Sequence, residues 1–179
     1  MKTVPVIWLM MMACVLNIMP AFGQSESKNN KIIADSKTAK AEFLATDALM
    51  KGIFDTAYGY VIFPNVGKGG IGVGGAAGNG VVYEQGTIIG MAKMSQVSVG
   101  FQAGGQAYRE IIFFESKNEL DRFKKSQLEF SAEVSAVAVT AGASAKAKYT
   151  KGVMVFTMQK GGLMYEASVG GQQFKFKKM

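Results

Sequence analysis

The sequence predicts an α+β fold in which mostly antiparallel strands form a barrel-like or sandwich sheet, with an N-terminal helical segment and one short internal helix. Three observations lead to this prediction. Residues 32–54 follow a helical period. After Gly59, short strand-like runs alternate with glycine, asparagine and proline. Ser116 and Glu119 have the spacing of a capping box, which marks the start of a helix.

The first 23 residues resemble a secretory signal peptide. An apolar run, Val4–Met19, is followed by small residues at Ala21 and Gly23, which suit the positions before a cleavage site. The run is also short for a membrane-spanning helix. We therefore expect an exported protein, periplasmic or extracellular, whose mature chain begins at Gln24.

Composition excludes several kinds of chemistry. Cys14 is the only cysteine and lies in the leader, and the sequence contains no histidine. The mature chain therefore has no disulfide, no thiol nucleophile and no imidazole base or zinc ligand. We expect no catalytic residue, no metal site and no cofactor. An alternative reading makes Cys14 the lipid attachment point of a lipoprotein, although it lies inside the apolar run.

The charge of the chain is basic but dispersed. The formal net charge is +7, and loss of Lys2 with the leader leaves 7 − 1 = +6. Only Arg109 and Arg122 carry guanidinium groups, and no block of lysines occurs. This pattern favours diffuse attraction to an anionic surface over the reading of nucleic-acid bases. Residues 32–179 are sufficient for one domain, preceded by a polar, flexible arm at 24–31.

The helical segment 32–54 has two readings. Asp35 or Ser36 is the predicted N-cap. On an unbroken helix one apolar stripe would form, flanked by three lysines: Ile32, Phe43, Met50 and Phe54, beside Lys37, Lys40 and Lys51. Such a helix either packs on a sheet or lies in a lipid headgroup layer with its lysines at the surface. A break near Thr46 would weaken the stripe.

The strands are predicted from the alternation of apolar and polar residues and from the turn-forming residues between them. Pro64 and Asn65 end the first of them, and a tight turn at Gln85-Gly86 joins two others. The predicted strands are Tyr60–Phe63, Gly69–Ala76, Val81–Glu84, Thr87–Met94, Val97–Gln102, Gln106–Phe114, Leu128–Ala138, Val153–Gln159, Leu163–Val169 and Phe174–Lys178. The short helix after Ser116 lies between the sixth and seventh of these strands.

A glycine-rich segment surrounds one lysine. Residues 67–72 match the pattern GxGxxG, but Pro64 precedes them and no helix follows, so we expect no nucleotide binding. Lys68 is predicted to project from a glycine-flanked turn, which includes Gly69 and Gly70 and whose exposed amides would form a nest for an anion. The alternative is a solvated turn lysine. Lysines at the end of the chain either contact acidic lipid or protect a sheet edge: Lys175, Lys177 and Lys178.

Three segments together resemble the SYLF lipid-binding domain. They are GYVIFPNVGKGGIGVGGAAGNGVVY, VGFQAGGQAYREIIFF and SAVAVTAGASAKAKYTKGVMVFTMQKGGLMYEASVGGQQF, and the similarity extends from about Ala34 to Phe176. The resemblance implies binding to phosphoinositide membranes through an N-terminal amphipathic helix, and actin binding in some members. The resemblance implies that residues 32–54 form the membrane-contacting helix and that Lys68 lies in the FPNVGKGG turn. It supplies no catalytic residue.

The resulting prediction is non-catalytic, peripheral binding of anionic phospholipid or a phosphoinositide-like headgroup. Actin is not expected as a partner, because an exported chain does not meet it. The candidate lipid contacts are Lys37, Lys40, Phe43, Lys51, Phe54, Lys68, Gly69 and Gly70. One alternative is a small outer-membrane β-barrel or an envelope structural protein. A weaker alternative is an enzyme that uses Lys68 or Tyr83.

Overall fold

The computed structural model describes residues 21–71, 73–99, 105–128, 135–161 and 169–179. The chain divides into a first unit that ends at Lys31, helical from Ala21, and a compact second unit, Ile32–Met179. The helices are α1 (Ala21–Thr46), α2 (Met50–Thr56) and α3 (Lys117–Lys124), with a short 3₁₀ helix at Ala143–Lys146. The strands are β1 (Gly59–Ile71), β2 (Val73–Glu84), β3 (Thr87–Val99), β4 (Gly105–Phe114), β5 (Ala136–Ala138), β6 (Val153–Gly161) and β7 (Gln172–Lys178).

The seven strands form one sheet in the order β5-β6-β4-β1-β2-β3-β7. All neighbouring strands are antiparallel except β5 and β6, which are parallel. Over the described residues the sheet is not closed, and β5 and β7 are its two edges. The predicted α+β class with a mostly antiparallel sheet is therefore confirmed, whereas the sheet is open and not a closed barrel.

Both faces of the sheet carry an apolar core. On the helix face, Phe43 of α1 and Phe54 of α2 pack against residues such as Ile62 of β1. On the opposite face, here called the inner face, Phe63 lies 6.0 Å from Phe174 of β7, measured between ring centroids. Strands β2 and β3 separate β1 from β7 in the sheet. The contact therefore requires the sheet to curl around its inner face.

Helix α1 differs from the predicted helix at both ends. It ends at Thr46 because the Asp47 carboxylate accepts hydrogen bonds from the backbone N–H groups of Leu49 (3.1 Å) and Ser144 (2.8 Å), which stabilise a turn before α2. The break near Thr46 is thus present. The helix also includes residues 24–31, for which a flexible arm was predicted. Asp35 and Ser36 consequently lie inside the helix and not at its N-cap.

Strand β1 continues through Pro64, where the sequence predicted its end. The pairing of β1 shifts register between Ile62 and Asn65 against β2, and between Phe63 and Val66 against β4. Such a bulge accommodates a proline, which has no N–H for the ladder. The predicted turn around Lys68 is therefore wrong. The segment belongs to β1, and the predicted strand Gly69–Ala76 is divided between β1 and β2.

The remaining elements agree with the pattern in part: the predicted strands Thr87–Met94 and Val97–Gln102 belong to the single strand β3 as far as Val99, and residues 100–102 lie outside the described part. Ser116 is the N-cap of α3, and its Oγ accepts a hydrogen bond from the N–H of Asn118. Of the predicted strand Leu128–Ala138, residues 129–134 lie outside the described part, and the last three residues form β5. The predicted strand 163–169 lies outside it except for Val169. Within the described residues, none of the helices has the length and apolar character needed to cross a bilayer.

Candidate functional site

Of the three helix lysines predicted to contact lipid, two are engaged with other groups. Lys51 Nζ lies 2.5 Å from the carboxylate of Asp55, one turn further along α2. Lys40 Nζ donates a hydrogen bond to the Tyr60 hydroxyl at 3.0 Å and lies 4.4 Å from the centre of the Phe54 ring. Partial burial lowers the pKa of Lys40. Lys37 is exposed to solvent.

The two phenylalanines predicted to contact lipid are core residues in this structure. Phe43 is fully buried, and Phe54 packs its ring edge against Tyr60 and Phe113, with ring centroids 5.1 Å and 4.9 Å apart. An ion pair between Glu42 and Arg109 of β4 also attaches α1 to the sheet. The apolar stripe of the helices therefore packs on the sheet.

Lys68 is only 7% exposed and lies in the paired part of β1. Its Cα is paired with Ala76 of β2 and Gln106 of β4. It shares a strand face with Val66, whose side chain belongs to the core of the inner face. Gly69 and Gly70 are paired with glycines of β2. The three residues thus form part of a ladder and do not form a loop around a free anion site.

The inner face holds a buried polar group that the sequence analysis did not single out as structural. Glu110 of β4 is completely buried, and its Oε2 accepts a hydrogen bond from Gln172 Nε2 of β7 at 2.9 Å. Burial raises the pKa of Glu110 to about 7, and the bond from Gln172 opposes this rise. The signal was present in the sequence, because Glu110 alternates in phase with the apolar residues Tyr108 and Ile112.

A second set of lysines lies on two strands that are distant in sequence. Lys93 of β3 is the direct partner of Lys175 of β7, and Lys177 pairs with Met91. All three side chains are exposed on the helix face of the sheet. We call Lys93, Lys175 and Lys177 the lysine cluster. No ion pair links it to a carboxylate of the described residues.

An open pocket of about 530 Å³ lies at the end of α2, beside the turn between β2 and β3. Its lining contains charges of both signs, including Lys40, Asp55 and Glu115. Asp55 is already paired with Lys51. Across the described residues, no group of three or more acidic, histidine or cysteine side chains is placed to hold a metal ion.

The fold and its exposed charges define a small α+β domain with a cationic surface and a helix-covered sheet. Residues 95–178, just under half of the chain, match the family model described as "Ysc84: Las17-binding protein actin regulator". The chain is also 30% identical over 125 residues, 69% of its length, to Beta cell expansion factor A of Aeromonas veronii. It spans about half of that relative's length (48%).

The chain belongs to the SYLF family, which includes the Ysc84 domain. The resemblance predicted from the sequence is therefore confirmed. The family is linked to lipid and actin binding and is generally non-catalytic. Family membership thus supports a binding role for this domain.

Proposed function

We propose that this protein is a non-catalytic domain that attaches peripherally to anionic membrane lipid. The observation that supports this proposal most directly is the lysine cluster, whose exposed ammonium groups have no carboxylate partner among the described residues. Ammonium groups of this kind bind phosphate oxygens through charge-assisted hydrogen bonds. Each lysine near an anionic membrane contributes about 1 kcal/mol at low salt, so several acting together are needed for stable attachment.

Attachment begins with the helices packed on the sheet. Phe43 and Phe54 belong to the core of the helix face, so their insertion into lipid would require α1 and α2 to separate from the sheet. The energetic cost of exposing these rings makes electrostatic contact the first step. Lys37, which is exposed on α1, adds to the long-range attraction.

The predicted leader bears on the choice of ligand. An exported protein meets anionic phospholipids at an envelope or cell surface, whereas phosphoinositides and actin are cytoplasmic partners of the family. We therefore propose an anionic phospholipid as the ligand, with phosphate as the chemical group that is recognised. Purification after export, followed by mass determination of the N-terminus, tests whether the chain is processed before Gln24.

Vesicle flotation tests the proposed function. The exported protein is mixed with zwitterionic vesicles and with vesicles that contain an increasing share of anionic phospholipid. Binding is expected to rise with the anionic share and to fall between about 0.1 M and about 1 M salt, where the Debye length shortens from about 10 Å to about 3 Å. Binding that responds to neither variable would reject the proposal. Co-sedimentation with actin filaments provides the comparison for the other ligand linked to the family.

A further inference from the structure

We infer that the exposed helix face of strands β3 and β7 is the surface that docks on the membrane, with the lysine cluster contacting lipid phosphates. This inference rests on the proposed function and specifies its site. The sequence-based site residues lay in α1, α2 and the segment around Lys68, whereas contact with acidic lipid was only one of two readings of Lys175 and Lys177.

The first observation is an unfavourable arrangement of charge. Lys93 and Lys175 are directly opposite each other in the β3–β7 ladder, and Lys177 lies diagonally across from Lys93. Like charges at directly opposite positions destabilise a pair of strands. A bound anion removes this repulsion by placing negative charge between the ammonium groups. The arrangement therefore suits a protein whose partner supplies phosphates.

The second observation is that the cluster continues into a row of polar side chains. Lys93 pairs with Asn79 of β2, and Asn79 pairs with Asn65 of β1. Lys160 of β6 donates a hydrogen bond to the side-chain oxygen Oδ1 of Asn65. Among the described residues, two carboxylates lie at the end of this row remote from the lysine cluster: Asp35 accepts a hydrogen bond from Asn65, and Glu42 forms an ion pair with Arg109 of β4. Near the cluster, the row thus offers donors to an anionic partner.

The third observation is that the adjoining surface carries small or uncharged residues. The next row across the sheet consists of exposed, uncharged residues, most of them small: Ala107, Gly67, Ala77, Ser95 and Gln173. A β-carbon placed on Gly67 would meet no atom within 4 Å. Val97, one row further, is 74% exposed. These small residues leave room for lipid headgroups to approach the backbone of the sheet, and the apolar side chain of Val97 is available to enter the lipid layer.

The alternative cationic surface, on the helices, is weaker. Lys51 is neutralised by Asp55, and Lys40 is held by Tyr60 and the Phe54 ring. Only Lys37 of the predicted helix lysines remains exposed without a described ion pair. The lysine cluster has three such groups within one pair of strands. Charge complementarity thus favours β3 and β7 as the docking surface.

A pair of matched triple variants tests the inference. The first is Lys93→Gln, Lys175→Gln and Lys177→Gln, which removes the cluster. The control is Lys125→Gln, Lys146→Gln and Lys148→Gln, which removes the same charge from exposed lysines elsewhere. At low salt, loss of three phosphate contacts is expected to weaken partitioning into anionic vesicles about 100-fold. The control is expected to lose only a few-fold through its reduced net charge.

Each outcome has a defined meaning. Equal losses in the two triple variants would overturn the docking surface while leaving the proposed function intact. A wild-type protein that binds no anionic vesicle would overturn both. Aggregation of the cluster variant with unchanged vesicle binding would show that the lysines protect the β7 edge, and would also overturn the inference. Thermal unfolding of each variant separates lost contacts from lost folding, since the cluster variant is expected to be at least as stable as the wild type.

Discussion

Glu110→Gln is expected to change how the stability of the fold depends on pH. Glu110 is completely buried, its Oε2 accepts a hydrogen bond from Gln172, and its Oε1 has no hydrogen-bond partner among the described residues. Burial raises its pKa from 4.5 to about 7. Between these values the folded protein keeps a proton that the unfolded chain releases, so the stability decreases as pH rises. Over this pH interval the free energy of unfolding decreases by about 3 kcal/mol, at about 1.4 kcal/mol per pH unit.

The stabilisation that Glu110 contributes is fully present below pH 4.5 and is lost as pH rises to about 7. Above that value the stability changes little with the titration of this group. Glutamine keeps a carbonyl acceptor for Gln172 but has no proton to lose. The variant and the wild type are thus expected to have similar stability near pH 5, and the variant is expected to be more stable near pH 8, by up to about 3 kcal/mol. Urea denaturation at a series of pH values measures this difference.

Glu115→Gln provides the control for this experiment, because Glu115 is an exposed glutamate close to the same strand. Its stability profile is expected to follow that of the wild type. If the profile of Glu110→Gln also ran parallel to the wild type from acid to alkaline pH, the carboxyl group would not be retaining a proton in the folded state. The explanation based on burial would then be refuted.

Three further predictions concern packing. Phe43→Ala is expected to lower the free energy of unfolding by about 3–5 kcal/mol in urea denaturation, since Phe43 is fully buried; a change below about 1 kcal/mol would mean that its ring is not in the core. Gly80→Ala is expected to destabilise the fold by about 1–3 kcal/mol, because a β-carbon at this position would lie 2.7 Å from the Ile62 carbonyl oxygen. Gly67→Ala, where a β-carbon meets open space, should be nearly neutral. Equal melting temperatures for the two variants would contradict this prediction. Ser116→Ala removes the N-cap of α3 and should cost about 1 kcal/mol in thermal unfolding, with unchanged stability contradicting the cap.

Local sequence patterns predicted the elements that depend on nearby residues. The capping pattern at Ser116 corresponds to a real N-cap, and the alternation after Gly59 corresponds to strands. The period of residues 32–54 correctly indicated helix. The helix ends at Thr46, close to the position where the sequence suggested a break in the apolar stripe. These features depend on contacts within a few residues, which a single sequence records.

Features that depend on pairing across the sheet were not predictable in the same way. Pro64 is compatible with β1 only because both neighbouring ladders shift register there. The three residues of β5 lie parallel to β6, which no local turn signal indicates. Lys93 and Lys175 come together only through the β3–β7 register. The lysine cluster therefore could not be recognised before the order of the strands was known.

The opposition of Lys93 and Lys175 gives added salt two effects of opposite sign. Dissolved ions screen the repulsion between these ammonium groups, so the edge strand β7 should be held more firmly to β3 in concentrated salt. The same ions compete for the lysines and should loosen their hold on a phosphate layer. Added salt would thus release the protein from a membrane and at the same time stabilise the edge of the sheet. Inorganic phosphate alone, which would bind the same lysines, is expected to raise the melting temperature.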